Sequence, residues 1–287
     1  VFPLAKPIML CADSTCDLGD VLRERYHVQF YPFHVILDGV MHGDGVDLTP
    51  DDIYRVYREK HILPKTAAIN TAEYQEFWQP FVQQGYDVIH ITIGSGLSAA
   101  YNNCRMAAEE MDGVYAIDSR NLSSGTGLLV IEAAERIAAG MPIEQIVQEL
   151  NEATARCHAS FVIDTLEFLH KGGRCSALAK LGANLLSLKP CIEVDNTSGK
   201  MSVGKKYRGT LDKALSQYVR DRLEGRTDLK KDRIFITHSG ISDERVEMVR
   251  ELIKQYADFD EILVTRAGCT ISSHCGPNTL GVLFMTK

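Results

Sequence analysis

The chain is short of positive charge: 31 Lys and Arg stand against 38 Asp and Glu, for a formal net charge of −7. The basic footprint that nucleic acids select is therefore missing. No apolar run approaches the roughly 20 residues that cross a bilayer, so no stable membrane insertion is expected. The opening residues Val1-Phe2-Pro3-Leu4-Ala5-Lys6-Pro7 hold two prolines and no apolar h-region. That argues against a secretory signal there, and a cytoplasmic location is the expectation. None of the eight cysteines forms a Cys-x-x-Cys pair; they read as reduced, small hydrophobes. Cys269, His274 and Cys275 fit no standard zinc spacing. Asp13 and Asp17 lack a third spaced acid, and Asp17 reads more simply as the cap of a helix from Leu18. Neither a metal nor any other cofactor is expected. Internal repeats and low-complexity stretches are missing as well.

What is present is material for a core: 287 residues, 45% of them hydrophobic, enough for one large domain or two of ordinary size. Through the first half, apolar strands (8–12, 88–93, 113–117) alternate with helical stretches. Helices are expected over 18–25, from Pro50 behind the cap Thr49, over 71–84 behind Thr71, and over 98–110 and 126–139. Another is opened by Met141-Pro142 and reaches His158. Residues 28–37 read as one extended segment, pushed toward a sheet edge by Pro32, with Asp38-Gly39 as a hairpin turn. This alternation implies a parallel sheet with helices on both faces. We expect a Rossmann-like α/β domain over residues 1–160. Residues 161–287 read as a second, mixed α/β domain. It contains the basic turn Lys171-Gly172-Gly173-Arg174, a small-residue helix before Pro190, and a hairpin of strands 191–194 and 201–205. Strands at 234–237, 262–265 and 279–285 follow, with a helix from Ser242.

Ligands of parallel sheets sit beyond the carboxyl ends of the strands. Three strands here end in small polar residues: Asp13-Ser14-Thr15, the turn from Ser95 to Ser98, and Asp118-Ser119. In Ile91-Thr92-Ile93-Gly94-Ser95-Gly96-Leu97-Ser98 a strand runs into a glycine-flanked turn, and a helix is expected from Ser98. A capping hydroxyl beside free N–H groups is half of an anion site; the plain alternative is an ordinary N-cap. Ser95 by itself reads as turn chemistry, and Thr66 as a threonine on a polar connection. His274 lies in the small-residue loop Ser272-Ser273-His274-Cys275-Gly276-Pro277, where a satisfied structural histidine is as good a reading as a functional one. The apolar stretch 181–188 reads as core or as the lining of a tunnel. Gly96-Leu97-Ser98-Ala99-Ala100 is a near miss to a nucleophile elbow, and Ser98, Asp118 and His274 follow the chain order of α/β-hydrolases. A serine acyl hydrolase using Ser98 is thus the rival reading, and a regulatory protein with a vestigial pocket is a third.

Several motifs, in order along the whole chain, resemble the DegV family. Asp13-Ser14-Thr15-Cys16-Asp17 is similar to its Asp-Ser-Thr-x-Asp opening, and Leu97-Ser98 with Tyr101 to its Leu-Ser-Gly-Thr-Tyr segment. Asp118-Ser119 through Ser124-Gly125-Thr126-Gly127 resembles its Asp-Ser…Ser-x-Gly-x-Gly loop. Leu169-His170-Lys171-Gly172-Gly173-Arg174 resembles its Leu-x-Lys-Gly-Gly-Arg motif. Leu188-Lys189-Pro190 and His274-Cys275-Gly276-Pro277 match too. The resemblance implies a two-domain α/β fold that buries one long-chain fatty acid, such as palmitate, in a tunnel. It implies no chemistry of the protein's own. A threonine and a serine hold the carboxylate, which fall on Thr66 and Ser98, with Ser95 beside them. It further implies a partner fatty acid kinase that makes an acyl phosphate, with Arg174 and His274 facing the partner and the phosphoryl chemistry. The chain departs from the family pattern at Ala67-Ala68-Ile69-Asn70, at Ala99-Ala100 and at Asn278, which makes the expected head-group pocket less polar.

A fatty-acid ligand is also physically coherent without the resemblance. A carboxylate needs few donors, and two hydroxyls with a helix start supply them. Each buried methylene contributes about 0.8 kcal/mol. A dozen offer on the order of 10 kcal/mol before ordering costs, so the tail supplies affinity and the head group orientation.

Overall fold

Two apolar segments, Ile8–Asp13 (β1) and Asp87–Thr92 (β6), lie side by side at the centre of a parallel sheet. Their near-continuous hydrophobic runs suit strands covered on both faces. The computed structural model describes residues 5–181 and 187–287. Gln29–Tyr31 (β2) and Val114–Asp118 (β7) complete this sheet in the order β2-β1-β6-β7. All its neighbours are parallel.

The expected segment 28–37 is in fact two strands in two sheets. Pro32 has no N–H to offer a ladder, and the Phe33 N–H donates to Ser14 Oγ instead (3.0 Å). The chain therefore leaves β2 and enters His34–Leu37 (β3) of a small antiparallel sheet, ordered β4-β3-β5 with Val40–Gly43 (β4) and Lys65–Ala67 (β5). Asp38-Gly39 makes the hairpin turn as expected, with φ of 51° and 79°. Thr66, which the sequence places on a polar connection, lies in β5.

The second half builds a seven-stranded mixed sheet. Cys157–His158 (β8), Ser160–Val162 (β9), Leu188–Val194 (β10), Met201–Arg208 (β11), Leu229–His238 (β12), Glu261–Arg266 (β13) and Leu280–Thr286 (β14) run β11-β10-β9-β14-β12-β13, with β8 on β14. The helices, in chain order, are Gly19–Arg25 (α1), Pro50–Lys60 (α2), Thr71–Gln83 (α3), Ala100–Glu109 (α4), Ser123–Ala138 (α5), Ile143–Ala153 (α6), Glu167–Gly172 (α7), Leu211–Leu223 (α8), Asp243–Tyr256 (α9) and Cys269–Cys275 (α10).

Several boundaries differ from expectation, each for a local reason. The α3 cap is Asn70, not Thr71: its side chain accepts from Glu73 N–H in a capping box. Helix α5 starts at Ser123, three residues early, so the Ser-x-Gly-x-Gly stretch is helical rather than a loop. The small residues of its first turns let it sit between the two large sheets, where Ser123 through Ala133 are all buried. Helix α6 stops at Ala153, and β8 takes up Cys157-His158. Asp17 caps nothing at α1; it takes a left-handed backbone, and its carboxylate reaches Ser123 and Gly268. Of the stretch 181–188, residues 182–186 lie outside the described residues.

One core cluster joins the parallel sheet to the mixed one, with Leu10, Trp78 and Ile91 packed in the same body as Phe161, Ile192 and Leu283. A second cluster lies between α8, α9 and the outer face of the mixed sheet. A third, around Ile53, Tyr54 and Phe168, seats α2, α7 and the small sheet together. All eight cysteines are buried and free.

Candidate functional site

The site is assembled from both halves around α10. The sequence reads residues 272–277 as a loop, but Cys269–Cys275 is helical and points His274 from its last turn. Its N-terminus is capped from far away. Asp44 accepts from the Cys269 and Thr270 N–H groups (2.8 and 3.2 Å) and from the Thr270 hydroxyl. Asp17 accepts from the Gly268 N–H (2.9 Å). Burial, then the neighbouring Asp44 carboxylate, push the Asp17 carboxyl well above its ordinary value.

A cavity of about 270 Å3 opens beside this helix. Its apolar wall includes Phe33, Ile93, Leu97, Leu122, Leu169 and Ile271, and its polar wall Thr66, Ser98, Arg174 and His274. Leu122, Ile271 and Cys275 also line a smaller cavity of about 20 Å3 beside β12 and β14. Among the sequence-derived candidates, Thr66, Ser98, Arg174 and His274 are thus brought to one space. Ser95 is not. Its hydroxyl donates to Asp118 Oδ2 (2.5 Å) and its N–H to Asp118 Oδ1 (3.1 Å). It is exposed and does not line the cavity; its hydroxyl proton is engaged by a carboxylate at the end of β7.

The turn from Ile93 to Ser98 is fixed at each step. Ile93 N–H donates to Asp13 Oδ2 (3.2 Å), Gly94 N–H to the Asn121 carbonyl (2.8 Å), and Leu97 N–H to the Gly94 carbonyl (3.0 Å). Gly96 admits the turn between β10 and β11: a Cβ there would lie 2.5 Å from the Ser198 carbonyl oxygen. Helix α4 begins at Ala100, with Ala99 in the cap position, so Ser98, the expected cap, lies one residue ahead of the observed one. Its hydroxyl nevertheless accepts from Ala100 N–H (3.1 Å).

Thr66 Oγ1 lies 2.8 Å from His274 Nε2. His274 Nδ1 is buried with no partner, packed over Gly172, where a Cβ would overlap it. A buried N–H without an acceptor costs more than a lone pair left facing carbon. The network therefore assigns the ring proton to Nε2, which donates to Thr66. Burial first, and then the charge of Arg174, lower the His274 pKa to about 4, which keeps the ring neutral near pH 7. Arg174 itself is exposed. It is anchored by Nη1 to the Gly172 carbonyl (2.7 Å) and by Nε to the Leu97 carbonyl (3.4 Å). The basic turn at 171–174 is therefore no loose surface loop. It closes α7 with Gly173 in the left-handed region (φ 69°) and hangs the guanidinium at the cavity rim.

Thr66 and Ser98 come out alike. Each hydroxyl oxygen accepts a hydrogen bond from behind, from His274 or from the α4 backbone, and each keeps its own proton to donate forward. Both hydroxyls thus line one largely apolar space with a proton free to donate to a ligand oxygen. The hydrolase triad is not assembled: His274 bonds Thr66, and Asp118 is held by Ser95 and by the Arg120 N–H (2.9 Å). Among the described residues, no group of three or more His, Cys, Asp or Glu is placed to hold a metal ion, and no helix is long and apolar enough to cross a membrane. Reasoning from sequence missed Phe33, Met201 and Thr270 as wall residues; they come from three separate segments, and none carries a local signal. It also left Asn278 unexplained. Asn278 has a φ of 62°, a backbone region that Asn enters more readily than other residues with a side chain.

Residues 7–287 match the family model described as an uncharacterised protein of the DegV family. A DegV domain-containing protein of Clostridium acetobutylicum is 28% identical over 282 residues, covering 98% of this chain and 99% of that one. A DegV family protein of Thermus thermophilus, whose solved structure is described as fatty acid binding, superposes with a TM-score of 0.87 at 28% identity, over 98% of this chain and 100% of that one. DegV of Bacillus subtilis, described as a fatty acid binding protein, gives a TM-score of 0.82 at 26% identity, over 99% and 100%.

Proposed function

The chain is a member of the DegV family, and from that membership and the geometry of the cavity we propose that it binds one long-chain fatty acid. The carboxylate lies between the Thr66 and Ser98 hydroxyls, and the aliphatic tail fills the apolar space beyond them. The observation that supports this reading is that two hydroxyls, each already accepting one hydrogen bond, line a cavity of about 270 Å3 whose remaining wall is mostly apolar. No nucleophile–base pair is needed, and the protein acts as a carrier in the cytoplasm.

His274 fixes Thr66 by donating from Nε2, and Arg174 adds positive charge at the rim without a direct ion pair in the core. An acid held by its head group at such a rim is presented rather than hidden. The reading therefore extends to a partner kinase that phosphorylates the carboxylate to an acyl phosphate, with Arg174 and His274 facing that partner. Relatives described as fatty acid binding support the ligand class.

The test is direct. Delipidated protein is exposed to palmitate and followed by native mass spectrometry and titration. One palmitate per chain is expected, and failure of uptake overturns the reading. Ser98→Ala is expected to weaken binding about tenfold, the worth of one charge-assisted hydrogen bond.

A further inference from the structure

Hydrogen-bonded to the cavity-lining residue Ile93 is a chain of four polar side chains in the core. Tyr74, Trp78, His90 and Asp13 each have 0% of their surface exposed. Trp78 Nε1–H donates to His90 Nδ1 (3.0 Å). His90 Nε2 lies 2.9 Å from Asp13 Oδ1, which also accepts from the Tyr74 hydroxyl (2.9 Å). The other oxygen, Asp13 Oδ2, accepts the Ile93 N–H.

The proton placement follows from the partners. An indole N–H can only donate, so His90 Nδ1 is the acceptor and the ring proton sits on Nε2, donating to Asp13. Two side-chain donors thus lock one oxygen of Asp13, and the rotation of the carboxylate is set. Its second oxygen is then aimed at the first N–H of the 93–98 turn. Aromatic packing holds the donors in turn: Tyr74 stacks on Trp78 (5.5 Å between centroids), and His90 meets both rings edge-on. None of these groups lines the cavity.

We propose that His90 and Asp13 are positioning residues for the head-group turn, holding Ile93 so that Leu97 and Ser98 face the cavity. This rests on the fatty-acid reading above for its functional consequence, though not for its geometry. A buried polar chain of this kind is costly unless every member is satisfied, and among the described residues its one side-chain hydrogen bond outward goes to the backbone of the turn.

The experiment compares the full chain with His90→Leu and His90→Gln. It measures palmitate affinity together with residue-resolved amide exchange at Ile93 and at Ile89 and Ile91 in β6. The Gln amide can still donate to Asp13; Leu cannot. His90→Leu is expected to weaken palmitate binding about tenfold and to speed exchange at Ile93 while Ile89 and Ile91 keep their protection. His90→Gln is expected to stay within about threefold of wild type, less than the loss of a typical hydrogen bond. Unchanged affinity in His90→Leu overturns the proposal. So does equal loss of protection at Ile93 and in β6, which marks a merely structural role, and so does a Gln variant as weak as Leu. If His90→Leu does not fold, Tyr74→Phe removes one donor to the same oxygen; faster Ile93 exchange there supports the proposal, and unchanged exchange overturns it. A wild-type chain that takes up no palmitate overturns the head-group reading, and the exchange comparison still decides the role of His90.

Discussion

His274 has two ring nitrogens in unlike surroundings: Nε2 on the Thr66 hydroxyl, and Nδ1 buried over Gly172 without a partner. That asymmetry has a consequence for acid stability. The folded protein holds the ring's pKa at about 4, against about 6.5 in an unfolded chain. Between those values the unfolded state takes up a proton that the folded state refuses. Stability is therefore full above pH 6.5 and falls as the pH drops toward 4, by on the order of 3 kcal/mol at most. Asp17 works in the opposite sense, because its raised carboxyl pKa favours the folded state at low pH. The measurement that isolates His274 is therefore a difference: urea denaturation of wild type and His274→Gln across pH 4–7, in which the variant is expected to lose this part of the slope. Parallel curves would refute the assignment. The four residues that meet at the cavity were legible one by one from motif and residue type. The pairing of Ser95 with Asp118 was not legible, because the two are 23 residues apart on neighbouring strand ends and nothing local announces it.

At the scale of elements, legibility follows where the caps come from. Helices α2 and α9 are capped by their own Thr49 and Ser242, and both starts were evident in the sequence. Helix α10 was invisible. Its seven residues, Cys-Thr-Ile-Ser-Ser-His-Cys, have no apolar period, and its N–H groups are satisfied by Asp17 and Asp44, which are 251 and 225 positions away. The β2–β3 break was hidden for a similar reason, since Phe33 turns to Ser14 rather than to a strand neighbour. This dependence makes α10 sensitive at a distance. Asp44→Ala removes the acceptor for two backbone N–H groups and for the Thr270 and Ser14 hydroxyls. A lost cap plus orphaned buried donors is expected to cost about 3 kcal/mol, read as a lowered urea midpoint. Because α10 carries Thr270, Ile271 and His274 in the cavity wall, palmitate affinity is expected to fall as well. A variant as stable as wild type would mean that α10 holds its shape by packing alone.

At the scale of the whole molecule, the change of character near residue 160 invites a division into units of 1–160 and 161–287, and one core cluster spans both. Trp78 and Ile91 share a cluster with Phe161, Ile192 and Leu283, and the cavity takes Phe33 and Ser98 from one half and Leu169, Met201 and Ile271 from the other. Helix α5 is buried between the two large sheets, with Ser124 bonded to Thr237 across them (2.5 Å). Two bodies that share this much apolar surface lose it together. Urea unfolding followed by far-ultraviolet circular dichroism and by the fluorescence of the single tryptophan is therefore expected to give one coincident transition. A ligand that bridges the halves stabilises both at once. At palmitate concentrations 100 times its dissociation constant the gain is about 2.7 kcal/mol. It should move the midpoint of that one transition upward while leaving its slope unchanged, since the surface exposed on unfolding is nearly the same. Two separated transitions, with palmitate shifting only one of them, would instead show that the halves fold apart and that the acid is held by one of them alone.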